Sequence, residues 1–188
     1  MKFLHKLLAV AALAAPLSAL AFPIATPGTE GNPVLVSGSG DIIATYEGNS
    51  ATFSNDLYLF TDDGIAGNDI FIFNNHTSPV GAMFNLGSFA PGTELIFRLH
   101  VNNTGMDYFT GLASNNPDGH SHARVQGGWA PDTTLVSFED LFNGPFEFND
   151  LSFSFSNTTT STGIPEPTSM LLISLGLAGL ATMQRRKK

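Results

Sequence analysis

The densest chemistry in the chain lies between Phe138 and Leu151, where Glu139, Asp140, Glu147 and Asp150 supply carboxylates and Asn149 an amide. An Asn143-Gly144-Pro145 turn folds the two halves of the stretch towards each other. Hard oxygen ligands at this density suit calcium, which takes about six to eight of them in flexible geometry. The fixed spacing of an EF-hand loop is absent. Like charges so crowded either hold a cation or fan into water. A second candidate is Asp118, His120 and His122, within Asn116 to Arg124. In an extended segment the two histidines point the same way and, with Asp118, offer zinc ligands; the alternative is a hydrogen-bonded loop. No catalytic residue is assigned. The chain has no cysteine, no Gly-x-Ser-x-Gly elbow, no P-loop, no Rossmann fingerprint and no His-Glu-x-x-His. A pair of acids could serve a glycosidase, but the sequence does not choose the pair.

The elements that must position these groups read as strands. Short runs rich in β-branched and aromatic residues cover Pro33 to Ser37, Asp41 to Glu47, Ala51 to Phe60, Asp69 to Phe73, Val80 to Phe89, Thr93 to Val101, Ala123 to Trp129, Thr134 to Phe138 and Leu151 to Asn157. Turn residues separate them, as in Gly38-Ser39-Gly40, Asp62-Asp63-Gly64 and Pro91-Gly92. Leu95, Phe97, Leu99 and Val101 alternate with polar neighbours, the period of a strand with one buried face. Leu151, Phe153 and Phe155 alternate with serines in the same way. No stretch holds a helical period over ten residues, and Glu139 to Phe142 could form a single turn at most. The fold class expected is all-β, an antiparallel β-sandwich of jelly-roll or Greek-key type. Three Asn-Asp pairs, Asn55-Asp56, Asn68-Asp69 and Asn149-Asp150, stand at strand entrances. They read either as Asx-turn punctuation or as carboxylates gathered at one rim to bind calcium.

Charge divides the chain sharply. Residues 22–163 hold 15 acids against Arg98 and Arg124, a net charge of −13 with histidine neutral. Such a surface repels nucleic acid and anionic lipid headgroups. The same segment carries 15 phenylalanines and no cysteine, so a hydrophobic core, a metal or both must hold it without disulfides.

The remaining positive charge lies in the two ends. Lys2, His5 and Lys6, the apolar run Leu7 to Leu17 and the small-x-small triplet Ala19-Leu20-Ala21 make a signal peptide with cleavage expected after Ala21. At the other end stand Pro165-Glu166-Pro167, an uncharged run from Met170 to Met183, and the cations Arg185, Arg186, Lys187 and Lys188. The prolines keep the approach extended, and the cations stop transfer and stay inside. A helix over 170–183 would span about 21 Å against a hydrocarbon core of about 30 Å, enough for a transient hold at the inner membrane. The organisation expected is a signal peptide over 1–21, the sandwich over 22–156, a flexible Ser/Thr linker over 157–163 and a tail over 164–188.

The tail resembles the PEP-CTERM sorting signal of exported bacterial proteins. That resemblance implies recognition and cutting by an exosortase, a membrane transpeptidase-like enzyme of Gram-negative bacteria that make exopolysaccharide. It also implies an inner-membrane-tethered intermediate followed by the cell surface or the extracellular space. The segment from about Leu95 to Phe155 is similar to a bacterial surface-protein domain of unknown function. Phe138-Glu139-Asp140-Leu141 and Phe148-Asn149-Asp150-Leu151 fit its pattern, and Asn143 to Glu147 depart from its glycine-rich turn. Together these readings lead us to expect a non-enzymatic structural or adhesion protein associated with exopolysaccharide, with calcium as its one expected cofactor. The alternatives are a secreted carbohydrate-active hydrolase and a calcium-stabilised module with no other ligand.

Overall fold

A computed structural model describes residues 22–61 and 67–161. The signal peptide, the Asp62-Asp63-Gly64 turn, the Pro165-Glu166-Pro167 motif, the helix expected over 170–183 and the terminal cations lie outside the described residues. In chain order the strands are β1 (Val34–Val36), β2 (Asp41–Asn49), β3 (Asn55–Leu59), β4 (Ile70–Asn74), β5 (Met83–Ser88), β6 (Glu94–Leu95), β7 (Phe97–Val101), β8 (Met106–Phe109), β9 (Ala123–Ala130), β10 (Thr133–Phe138), β11 (Leu151–Ser156) and β12 (Thr158–Thr159). Among the described residues the helical structure is one short 3-10 turn, Ala113–Asn115, and no helix is long and apolar enough to cross a membrane.

The architecture is the antiparallel β-sandwich that the alternating pattern predicts. A five-stranded sheet in the order β5-β2-β11-β10-β9 faces a four-stranded sheet, β4-β3-β7-β8, and a small third sheet runs β12-β1-β6. Strand β2 alternates buried and half-buried residues along its length, with Ile42, Ala44 and Tyr46 turned inward. From the facing sheet Leu57, Leu59, Phe97, Leu99 and Val101 do the same. The layers meet ring to ring: Phe97 stacks on Phe155 at 3.9 Å, and Phe73 lies parallel to Phe153 with Tyr46 tilted against both.

Four features depart from the sequence reading. The run Thr93 to Val101 breaks at Ile96, because β6 leaves to pair with β1 while the Ile96 carbonyl accepts the Phe60 N–H. Strand β8 has no apolar run to announce it; its residue Tyr108 is fully buried and Asp107 faces outward. Glu139 to Phe142 forms no helical turn, and the chain instead bends so that Gly144 N–H reaches the Leu141 carbonyl. The expected linker over 157–163 begins inside the fold. Thr158 and Thr159 pair with Val36 and Leu35, Thr158 is buried, and its hydroxyl bonds Thr134. A run of hydroxyl residues reads as solvated linker, yet threonine is also a strand residue when partners satisfy its oxygen.

The serines of β11 are also inside. Ser152 and Ser154 are buried because the strand is central and the segment from Phe22 crosses the outer face of its sheet. Ser152 bonds Ser137, which accepts the Ala25 N–H, and Ser154 donates to Glu47. Phe22 lies directly on Gly48, whose φ is +137° and where an added Cβ would fall 2.6 Å from the Phe22 Cβ. Gly48→Ala is therefore expected to cost about 1–3 kcal/mol by urea denaturation, from both the backbone and the overlap. An unchanged midpoint would show that the leading segment is not docked there.

Candidate functional site

One end of the sandwich gathers the acidic residues. Strand β10 leaves the sheet at Phe138, the loop 139–150 crosses the end, and β11 enters at Leu151 beside Asn49. Glu139 and Asp140 are almost fully buried, Asp150 is half-buried, and one carboxylate oxygen of each lies within 4.8 Å of the others. Glu139 accepts the N–H groups of Glu147 and Phe148 at 3.1 and 3.4 Å, and Asp150 accepts the N–H of Asp140 at 2.8 Å. Burial pushes the Asp150 carboxyl up; the charges of Asp140 and Glu139 add to this against the pull of the Asp140 N–H, and it reaches about 7. The same group of charges acts on Tyr108, whose hydroxyl is raised to about 12 by burial first and then by Asp118, Asp140 and Glu139.

Of the expected calcium ligands, the fold brings together Glu139, Asp140 and Asp150 and turns away Glu147 and Asn149. Glu147 is exposed and receives a hydrogen bond from the Asn149 amide. The cause is local backbone. Asn143, Phe146 and Phe148 all stand at φ near +60°, and the rings of the last two turn inward. Phe148 is buried under the Arg124 guanidinium at 4.2 Å, so its neighbours on either side face water.

The sequence reading missed Asn55. It is fully buried at the start of β3, in the other sheet, and its Nδ2 donates to Asp140 at 2.8 Å while its Oδ1 has no hydrogen-bond partner among the described residues. The signal was present in the repeated Asn-Asp pairs. Two of them, Asn55-Asp56 and Asn149-Asp150, contribute one residue each to this rim, the amide from the first and the carboxylate from the second. The pair Asn68-Asp69 does not join them, since Asp69 binds Arg98 and the Thr61 N–H.

The fold does not gather the second candidate set, Asp118, His120 and His122, around one point. His122 is fully buried with both ring nitrogens engaged, Nε2 with Asp118 at 2.9 Å and Nδ1 with the Glu139 carbonyl at 2.9 Å. It stacks on Tyr108 at 3.8 Å, whereas His120 is exposed beside Phe146. Only Ala123 onward is strand, so His120 and His122 do not share a strand face, one being exposed and the other buried. Burial opposes ionisation of Asp118, but His122 and the N–H groups of Asn143 and His120 outweigh it and hold the carboxyl down at about 2. This trio is a rivet between the β8–β9 crossover and the end of β10.

The outer face of the four-stranded sheet presents a different surface. Phe71, Tyr58, Arg98 and Phe109 are register partners on β4, β3, β7 and β8, so they form one row across the sheet. Phe71 meets Tyr58 edge-on at 5.6 Å, and Arg98 covers Tyr58 at 4.3 Å. Arg98 is held there by Asp69 and Asp107, each at 2.7 Å. Phe60 packs edge-on to Phe109 at 5.2 Å, and a shallow cavity of about 290 Å³ opens beside them, lined also by Ile96 and Asn115.

Comparison with curated proteins and with solved structures returns no match for the chain. Against protein families, residues 163–187 match the PEP-CTERM protein-sorting motif. The match lies on the stretch holding Pro165-Glu166-Pro167, the apolar run and the first three terminal cations. The chain thus carries a PEP-CTERM sorting motif at its C-terminal end, which supports export, a membrane-anchored sorting intermediate and processing by an exosortase-type enzyme.

Proposed function

We propose that the exported sandwich is a non-enzymatic module of the cell surface or extracellular matrix that binds exopolysaccharide through the outer face of its four-stranded sheet. The row Phe71–Tyr58–Arg98–Phe109 carries this reading. Aromatic rings fixed in register offer apolar platforms for the C–H faces of sugar rings, and Asp56, His100 and Asp107 in the adjacent register row offer hydrogen bonds to hydroxyls. The exported segment's net charge of −13 disfavours polyanions, so the polymer that fits is neutral. Phe71 is 47 % exposed, so Phe71→Ala should leave the melting temperature nearly unchanged while weakening retention on a neutral polysaccharide about tenfold in affinity electrophoresis. Equal mobility with and without every neutral polymer tried would sink the proposal. The competing reading, a secreted hydrolase, draws on Asp140 and Asp150 lining one cavity of about 260 Å³. Release of reducing ends from the polymer, lost in Asp150→Asn, would favour it.

A further inference from the structure

Among the described residues, no cationic side chain pairs with the three carboxylates packed at the end of the sandwich. The segment 22–163 has two basic side chains, and both are committed elsewhere: Arg98 to Asp69 and Asp107, Arg124 to Glu30. His122 gives its ring nitrogens to Asp118 and to the Glu139 carbonyl, not to the carboxylates of the trio. Hydrogen bonds engage one oxygen each of Glu139, Asp140 and Asp150. Against this group stands an independent feature, the fully buried Asn55, whose Nδ2 donates to Asp140 and whose Oδ1 has no partner among the described residues. A buried carbonyl oxygen without a donor costs free energy that a cation would recover.

We infer that Glu139, Asp140, Asp150 and Asn55 form a calcium site that pins β3 of the four-stranded sheet to the β10–β11 loop of the five-stranded one. The spacing fits one ion. Calcium–oxygen distances of about 2.3–2.6 Å put ligands on opposite sides roughly 4.8 Å apart, and the three carboxylate oxygens lie within 4.8 Å of one another. Three carboxylates and an amide leave about two to four positions for water, and the cavity lined by Ser50, Thr52, Phe53 and Leu141 opens onto Asp140 and Asp150. None of these ligands belongs to the aromatic row, so the site stands or falls separately from saccharide binding.

The test is calorimetric titration of calcium chloride into the purified, EDTA-treated protein, with melting curves in calcium and in EDTA. One calcium per chain and a melting temperature raised by roughly 5–10 °C are expected. Asp150→Asn keeps an acceptor for the Asp140 N–H and removes one charge. It should therefore melt no lower than wild type in EDTA and lose the calcium increment. A wild-type protein with no binding heat and the same melting temperature in both solutions overturns the site. Magnesium giving an equal increment overturns its assignment to calcium. An Asp150→Asn variant that responds like wild type overturns the ligand set.

Discussion

His122→Ala is expected to lower the unfolding free energy by about 3–5 kcal/mol, measured by urea denaturation at neutral pH. Two losses combine. A fully buried ring leaves its stack on Tyr108, and the Asp118 carboxylate, with 1 % of its side chain exposed, keeps its burial without its imidazole partner. Adding Asp118→Asn to His122→Ala should then cost much less than the two single changes summed, because each removes the same interaction. The pair also sets an acid limb. Asp118 has an ordinary value near 3.8 and a folded value of about 2. Its contribution is present above about pH 3.8 and is lost as pH falls towards 2. The stability gap between wild type and Asp118→Asn should therefore be full at pH 5 and shrink towards zero near pH 2. A gap independent of pH, or a His122→Ala cost under about 1 kcal/mol, would show that the pair does not pin the crossover to β10.

Phe153→Ala should be comparably damaging, at about 3–5 kcal/mol. Phe153 is 1 % exposed at the centre of the five-stranded sheet and touches Tyr46, Phe73 and Phe138, so its loss opens a void where the two layers meet. Rings fixed by neighbours on both sheets cannot collapse far into that void. Phe142→Ala, at a ring 50 % exposed on the β10–β11 loop, should change stability by less than about 0.5 kcal/mol. Equal costs for the two substitutions would contradict the packing described.

The sandwich was legible because one-sided burial writes a two-residue period into the chain, as in Phe97, Leu99 and Val101. Burial of both faces was not, even where the strand itself was read. In β11 both faces are covered, and its outward serines look solvated in the sequence although Ser137 and Glu47 receive them in the fold. Strand β12 is two threonines whose pairing depends on Leu35 and Val36, far away in the chain. The rim followed the same rule. Glu139, Asp140 and Asp150 could be picked out by local density, but the positive φ values of Phe146 and Phe148 that turn Glu147 and Asn149 away go with Arg124 lying over the Phe148 ring and Glu139 accepting the Phe148 N–H, contacts that the spacing does not announce. Asn55 carries the Asn-Asp signal, but its place on the rim is set by topology, since β3 begins where β10 ends.

The pairing of β1 with β12, and of β2 with β11, also governs when this protein can fold. Leu35 waits for Thr159, and Asn49 for Leu151. Chains dominated by such distant pairings fold in about milliseconds to seconds, slowly for their size. An exported chain built this way cannot close its sandwich through most of its passage, because β1 and β2, which also pair with β6 and β5, each keep one edge open until β12 and β11 emerge. Thr159 precedes Pro165 by only a few residues. Closure of the sandwich and arrival of the sorting motif at the membrane thus fall close together in translocation, because the last two pairings wait for strands that lie just ahead of that motif.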